Sequence, residues 1–201
     1  MSTDPYVDRE SGVLINKLGI TDPYKLDQAE RDITRVRMAE LDRNPIKGNF
    51  DLAHLQAIHK HIAGDVYAWA GQIRTVDMMK GDSMFARVDR IVPEANKAFG
   101  ALAAENHLKG QFSDQFVRSA AEHFSNINAL HPFREVNGRA QVAMFRQLAA
   151  ESGKHLSFSA ISAKQWNEAN ARAHAGDTRM LESAFKSALI AGRELTQGIQ
   201  R

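Results

Sequence analysis

The sequence predicts an all-α, mainly helical fold that carries one short β-hairpin. Apolar residues recur every three or four positions in a series of separate segments, which is typical of amphipathic helices. Only one stretch has the composition of strands, and glycine or proline separates most of the segments. The apolar fraction of 43% and the charged fraction of 25% are those of an ordinary folded domain.

The N-terminal part predicts an arm followed by two helices. Residues 1–25 are polar and rich in turn residues, so we predict a docking arm before a single domain that spans residues 26–198. A first helix is predicted over 26–41 and a second over 52–62. The inner face of the first helix is predicted to contain Leu26, Ala29, Ile33, Val36 and Leu41.

The hairpin is the next predicted element. Residues 74–77 and 84–88 have strand character, and the turn residues between them include Gly81 and Asp82. A helix over 92–108 follows, with Pro93 in its first turn.

The remaining chain predicts a central helix and three further helices. The central one covers 112–130, where an apolar stripe runs over more than four turns. It ends at His131, because the residue before a proline is pushed out of the helical region. Another helix runs to Gly153 with Asn137 as its predicted N-cap, and the last two are predicted over 162–174 and 178–195.

Composition excludes several functions. The net charge of +2 gives no field for capturing nucleic acid or an anionic membrane, so we expect neither as a partner. The absence of cysteine excludes disulfides and thiolate metal sites. The acidic N-terminus and the lack of a long apolar run predict a cytoplasmic protein, although secretion by another type of signal is compatible with this pattern.

The segment from His131 to Arg139 concentrates groups that suit attack on a phosphoryl centre. His131 has an ordinary pKa of about 6.5 and can accept a hydroxyl proton near neutral pH. Glu135 can bind Mg²⁺ beside phosphates. Asn137, Gly138 and Arg139 begin a helix, where unpaired amides and a partial positive charge favour an anion.

This segment resembles the signature of the Fic family, HPFx(D/E)GN(G/K)R, and departs from it only at Val136, where the family has glycine. The similarity extends to the stretch GDVYAWAGQIR and to the later helices, which look like those of bacterial Fic toxins. That family transfers AMP from ATP to a hydroxyl of a target protein. The resemblance therefore implies a protein adenylyltransferase that uses ATP and Mg²⁺.

The resemblance also implies roles by position. His131 is similar to the base that deprotonates the target, Glu135 to the Mg²⁺ ligand, and Phe133 to a core anchor of the loop. The nucleotide phosphates are expected beside Val136, Asn137, Gly138 and Arg139. The hairpin resembles the flap, over about 74–88, that aligns an extended target segment. The residues expected to contact the target are Arg74, Thr75, Val76, Asp77, Ser83, Met84 and Phe85.

Two departures from the family pattern predict reduced activity. Val136 has a β-branched side chain that narrows the phosphate space and resists a positive φ. Val142 stands where AMP-transferring relatives usually have a second arginine for the γ-phosphate. The Doc branch of the family also lacks the glycine and the second arginine, and it acts as a protein kinase. It differs from this chain in having lysine at the position of Gly138. Phosphoryl transfer, or a binding module without efficient catalysis, therefore remain as alternatives.

The resemblance implies partners as well. Similar toxins modify topoisomerase subunits, and a helix with the motif (S/T)xxxE(G/N) commonly restrains the enzyme. This chain has Thr178 and Glu182 at that spacing but Ser183 after them, so we expect restraint by a separate small antitoxin. His59 and His61 point to different faces of a helix and are not expected to bind metal.

Overall fold

The predicted mainly helical fold with a short hairpin is confirmed. The structure, a computed structural model, describes residues 4–81 and 83–199. Its elements are α1 (Pro23–Arg43), α2 (Leu52–Ala63), β1 (Met79–Lys80), β2 (Ser83–Met84), α3 (Val88–Ala104), a short 3-10 helix (Asn106–Leu108), α4 (Ser113–Leu130), α5 (Asn137–Glu151), α6 (Ala163–His174) and α7 (Arg179–Ile199). None of the helices in the described part combines the length and apolarity needed to cross a membrane.

Helix α4 is the centre of the fold. It contacts α3, α5, α6 and α7. The apolar stripe read from the sequence explains this position, because Phe116, Ala120, Phe124 and Ile127 follow one another at helical spacing and each is at most 1% exposed. The end of α4 is therefore fixed from several sides, and the loop that follows it starts from a rigid support.

Side-chain caps define where several helices begin. Asp22 caps α1 by accepting from Lys25 N, and Pro23 then occupies a first-turn position that requires no donor. Helix α1 thus begins three residues before the predicted start.

One prediction on the inner face of α1 is wrong, because Val36 is 60% exposed. The face that is buried contains Leu26, Glu30, Thr34 and Leu41.

Helix α3 differs from its prediction at both ends. It begins at Val88, where the carboxylate of Asp77 accepts the Val88 N–H at 2.8 Å. Pro93 consequently lies in the second turn, not the first, and removes one intrahelical hydrogen bond. The helix ends at Ala104, because the residues Asn106 to Leu108 adopt left-handed conformations that an α-helix cannot continue.

The hairpin is shorter than predicted, and its paired residues are those directly beside the turn. Its antiparallel register pairs Met79 with Met84 and Lys80 with Ser83. The predicted strand over 74–77 is wrong, because the Arg74 side chain is drawn into the interior and Asp77 caps α3. The second predicted strand ends early because Ala86 N donates to Ala129 O at 3.0 Å instead of to the hairpin.

The N-terminal segment lies against the loop and the flap. Asp4 forms an ion pair of 2.9 Å with Arg134, and Tyr6 Oη accepts from Thr75 N at 3.0 Å. The segment closes on itself through a bridge between Val7 and Leu14. Residues 1–3 of the predicted arm and Asp82 of the predicted turn lie outside the described residues, as does the side chain of Ser83.

Two glycines give opposite predictions for stability. Gly71 has φ +84°, and a Cβ there would lie 2.9 Å from Lys60 Cβ and 3.0 Å from Gln56 O. Gly71→Ala is therefore expected to lower the free energy of unfolding by about 1–3 kcal/mol. Gly100 lies within α3 with open space around it, so Gly100→Ala is expected to raise that energy by about 0.5–1 kcal/mol.

Urea denaturation of both variants measures these changes against the unmodified chain. Equal stability of Gly71→Ala and Gly100→Ala would show that the turn at Gly71 is not packed on α2 as described.

Candidate active site

The loop between α4 and α5 is bounded by two strained residues. His131 has φ +44° and Val136 has φ +62°, both in the left-handed region that non-glycine residues rarely adopt. Such a conformation costs roughly 1–2 kcal/mol per residue and is unusual for a β-branched side chain. Strain of this kind persists only where surrounding contacts hold it, and it is common at functional sites.

Val136 adopts the positive φ that the sequence led us to regard as unfavourable. Its side chain is 3% exposed and packs in the hydrophobic core. The cost of this valine is therefore backbone strain. The prediction that the side chain narrows the phosphate space is not supported, because the side chain is directed into the core.

Asn137 closes the loop and does not cap the helix. The N-cap position of α5 is Val136, which has no side-chain cap bond. The Asn137 side chain accepts from Phe133 N at 2.9 Å and donates to Phe133 O at 2.8 Å. The amide oxygen and one of the two Nδ2 protons are thus engaged by Phe133, so the main-chain N–H is the principal group that Asn137 can offer to a ligand.

The first turn of α5 presents donors without acceptors. Among the described residues, the main-chain N–H groups of Asn137, Gly138 and Arg139 have no hydrogen-bond acceptor, as expected for a helix start. A Cβ added at Gly138 would meet no atom within 4 Å, so the space beside this turn is open. The positive end of the helix dipole points into that space, which suits a phosphate.

Arg139 is held by two residues of α1. Its Nη2 donates to Glu30 Oε1 at 2.7 Å and its Nη1 donates to Thr34 Oγ1 at 2.8 Å. Glu30 is 5% exposed and also accepts from Tyr67 Oη at 2.6 Å. Sequence reasoning missed this network. The available signal was that Glu30 and Thr34 follow Leu26 at intervals of four, which places them on its buried face.

Glu135 is a half-buried carboxylate with a raised pKa. Burial is the main cause, and the neighbouring charge of Glu30 adds to it. Among the described residues, its side chain accepts only from its own neighbour Val136 N, at 3.3 Å, and forms no ion pair. A carboxylate in this situation fits a bound cation. Mg²⁺ needs few protein oxygens when phosphate oxygens complete its shell, so one glutamate is sufficient.

His59 supports the loop from α2, and sequence reasoning missed this role. Its side chain is fully buried. Nε2–H donates to Glu135 O at 2.9 Å and Nδ1 accepts from Gly71 N at 2.8 Å, which defines a neutral tautomer. The ring stacks on Phe133 at a centroid distance of 3.8 Å. Phe133 is fully buried, in agreement with its expected position in the core.

His131 is held between the flap and α4. Its ring stacks on Phe85 at a centroid distance of 3.8 Å and an interplanar angle of 12°. Burial lowers the pKa of His131 to about 4, and the positive charge of Arg74 adds to the effect. The imidazole is therefore neutral at pH 7, which is the form that accepts a proton. Its Nδ1 atom is buried, so Nε2 is the nitrogen left to face a substrate.

The flap residues predicted to contact a target separate into two groups. Arg74 does not belong at the target surface, because its side chain is 1% exposed and bonds main-chain carbonyls of the loop and the flap. Phe85 is buried against His131. The exposed or half-buried members are Thr75, Val76, Asp77 and Met84.

Comparison with protein families and known proteins identifies relatives of this chain. The model of the Fic/DOC family matches residues 49–149. Protein adenylyltransferase VbhT of Bartonella schoenbuchensis is 38% identical over 92% of this chain, which spans 39% of that protein's length. The probable protein adenylyltransferase Fic of Salmonella typhimurium is 37% identical, with 95% of this chain and 94% of that protein covered. The chain belongs to the Fic/DOC family.

Solved structures share the fold over most of the chain. BepC of Bartonella tribocorum with bound AMPPNP has a TM-score of 0.87 and 27% identity, covering 91% of this chain and 95% of that chain. The N-terminal Fic domain of a Bartonella quintana effector with bound ADP has the same TM-score and identity, covering 91% and 93%. Both of these relatives hold adenine nucleotides.

The burial of His59 gives a prediction for acid stability. Burial lowers its pKa to about 4, and protonation of Nδ1 would break the bond from Gly71 N. The unfolded chain takes up this proton near pH 6.5, so stability is full above that pH and falls as the pH drops toward 4. The fall is about 1.4 kcal/mol per pH unit for one such group.

The variant His59→Gln removes the titrating group while keeping a donor and an acceptor. We expect its free energy of unfolding, measured in urea at a series of pH values, to fall less steeply between pH 6.5 and 4. Lys60→Gln, at the exposed neighbouring position, is the control and should keep the original slope. An unchanged slope in His59→Gln contradicts the assignment.

Proposed function

We propose that this protein transfers AMP from ATP to a hydroxyl group of a target protein, with His131 as the base. One observation carries the proposal: the imidazole of His131 and the open amides of Asn137, Gly138 and Arg139 stand at opposite ends of one short, strained loop. The named activity of the curated relatives and the adenine nucleotides in the neighbouring structures support it.

In the proposed reaction, the phosphates of ATP lie against the first turn of α5. The target oxygen attacks the α-phosphorus, an O–P bond forms, and the bond from that phosphorus to the oxygen bridging the β-phosphate breaks. Pyrophosphate leaves with the bonding electrons. The hydroxyl proton passes to Nε2 of His131, which is neutral at pH 7 because its pKa is about 4.

Arg139 and Glu135 serve the nucleotide in this proposal. A guanidinium has five N–H donors, and the bonds to Glu30 and Thr34 use two of those on Arg139. The remaining donors can bind phosphate oxygens while the side chain stays in place. Glu135 would hold Mg²⁺, which supplies positive charge that neutralises the polyphosphate.

The flap is the proposed dock for the target. Met79 and Met84 are direct cross-strand partners and are 62% and 59% exposed. Main-chain pairing to an extended segment fixes its register, and methionine surfaces adapt to varied apolar side chains. This arrangement fits the docking of a target hydroxyl beside His131 with limited demand on target sequence.

A separate inhibitory antitoxin is the second part of the proposal, which makes this protein the toxin of a bacterial toxin–antitoxin pair. A groove of about 420 Å³ lies between α1 and α5 beside the phosphate site. Four arginines line it: Arg31, Arg35, Arg139 and Arg146. Each of these arginines forms an ion pair with a carboxylate of α1, namely Asp27, Asp32, Glu30 or Asp42. An acidic helix of a partner protein would offer replacement carboxylates to these arginines and would compete with nucleotide phosphates for Arg139.

Phosphoryl transfer of the Doc type is the second candidate, and the valine at position 142 favours it. Val142 follows Arg139 by three residues and precedes Arg146 by four, so it occupies the place on α5 between two cations. Without a charge at position 142, the γ-phosphate lacks one fixed partner. A nucleotide bound in the reversed orientation, with the γ-phosphate in place of the α-phosphate at the reaction centre, can then compete with the orientation that transfers AMP. The position of the transferred phosphorus separates the two candidates.

Labelled ATP tests the activity. The purified protein is incubated with Mg²⁺, a bacterial lysate and ATP labelled at the α- or the γ-phosphate. We expect label on a protein band from α-labelled ATP alone, reduced about 10²- to 10⁴-fold by His131→Ala. His155→Ala, which removes an exposed histidine, is the control. Transfer from γ-labelled ATP alone assigns a kinase, and transfer from neither label assigns a binding module.

Restoring a cation at position 142 tests the account of nucleotide binding. Val142→Arg is expected to tighten ATP binding about tenfold or more, since a charge-assisted phosphate contact contributes roughly 1.5–3 kcal/mol. AMP, which lacks the γ-phosphate, should bind as before. Calorimetry measures both, and Ala150→Arg at an exposed position of α5 controls for added charge. Equal tightening for ATP and AMP would rule out a γ-phosphate contact.

A further inference from the structure

Arg74 is a buried cation that touches both the flap and the active-site loop. Its side chain is 1% exposed. Nε donates to His131 O at 2.8 Å, and Nη2 lies 3.4 Å from Leu130 O, so one edge of the guanidinium faces the end of α4. Nη1 donates to Val76 O at 2.6 Å and Nη2 donates to Ala86 O, both in the flap segment.

The acceptors around Arg74 are all main-chain carbonyls. Among the described residues, no carboxylate forms an ion pair with this guanidinium, although the charge of Asp77 acts on it from a greater distance. Burial lowers the pKa of Arg74, yet an arginine remains charged at neutral pH. The C-terminal end of α4 carries a partial negative charge that offsets part of the burial cost. A lysine carries its three donors on a single nitrogen, so it could not bond the carbonyls of the flap and those of the active-site loop at the same time.

The contacts of Arg74 bear directly on the conformation of His131. The main chain of His131 is left-handed at φ +44°, and the bond from Arg74 Nε fixes the carbonyl of that same residue. The bond from Arg74 N to Pro132 O, 2.9 Å long, fixes the next peptide. Phe85, which stacks on the His131 ring, precedes Ala86, whose carbonyl Arg74 also binds. Ring and main chain of His131 are therefore both tied to the flap.

We propose that Arg74 is a positioning residue for His131, which holds the base and the flap in one fixed arrangement through a single buried guanidinium. This inference rests on the proposed function only in taking His131 as the base. If Arg74 has this role, the distance between the flap and the imidazole of His131 is fixed before a target segment docks on the flap. Pre-set geometry of this kind raises the rate of the chemical step more than the affinity for nucleotide.

Two substitutions separate the charge of Arg74 from its geometry. Arg74→Gln removes the cation, and Arg74→Lys keeps it but loses the bridge between flap and loop. The other titratable groups that act on His131 are Lys80 of β1 and His174 at the end of α6, and both variants leave them unchanged. Arg179→Gln, which removes an arginine that is 86% exposed, is the matched control.

The first measurement is the titration of His131 followed by NMR, which requires no activity. In Arg74→Gln, loss of the nearby positive charge should raise the pKa of His131 by about one unit, while Arg74→Lys and Arg179→Gln should keep it low. An unchanged titration in a folded Arg74→Gln overturns the inference. Should that variant fail to fold, the decision falls to Arg74→Lys in the second measurement.

The second measurement is AMP transfer to a target under steady-state conditions. Arg74→Lys should lower kcat about a hundredfold with little change in KM for ATP, because the base is displaced while the nucleotide site on α5 is intact. Full kcat in Arg74→Lys, or an equal loss of ATP affinity, overturns the inference. If the unmodified chain transfers no AMP while the NMR shift is observed, the proposed function fails and the positioning role stands.

Discussion

The conformation of the active-site loop depends on buried side chains that donate hydrogen bonds to its main-chain carbonyl groups from the protein interior. Arg74 binds the carbonyl of His131, Asn137 binds that of Phe133, and His59 binds that of Glu135. These bonds hold the loop in the conformation from which α5 starts, beside the open space at Gly138. The free amides of the proposed anion site belong to the first turn of α5, whose N–H groups have no partner within the helix.

Two different contacts explain how two non-glycine residues remain left-handed. Each such residue costs roughly 1–2 kcal/mol, and one hydrogen bond to a charged donor contributes about 1.5–3 kcal/mol. For His131 the charged donor is Arg74, so the bond is of the right size to offset the strain. For Val136 the bond to a charged group is longer, since its N–H donates to Glu135 Oε1 at 3.3 Å, and burial of its side chain also opposes its strain.

The sequence was sufficient to locate the helices approximately, but not to find the contacts that hold the loop, and the chemistry assigned to the loop stays a prediction. Periodicity located α4 because one face of that helix is apolar throughout. Periodicity could not predict the supporting roles of Arg74 and His59, because their partners are main-chain carbonyls that are distant in sequence and leave no local pattern. The hairpin was placed too early for a related reason, as the composition of residues 74–77 suits a strand while Arg74 is drawn inward by the loop.

The charges around Arg139 bear on how the proposed nucleotide site would work. Two carboxylates, Glu30 and Glu135, lie close to one guanidinium, and Val142 adds no further cation. A triphosphate entering this region meets a positive helix end and the free donors of Arg139, but also two negative groups. In the proposed reaction, a divalent cation held by Glu135 would reverse this balance, because its positive charge would neutralise that carboxylate and attract the phosphates. Because Val142 supplies no second cation, we expect nucleotide binding to this site to depend more on the metal than it would in a site with two arginines.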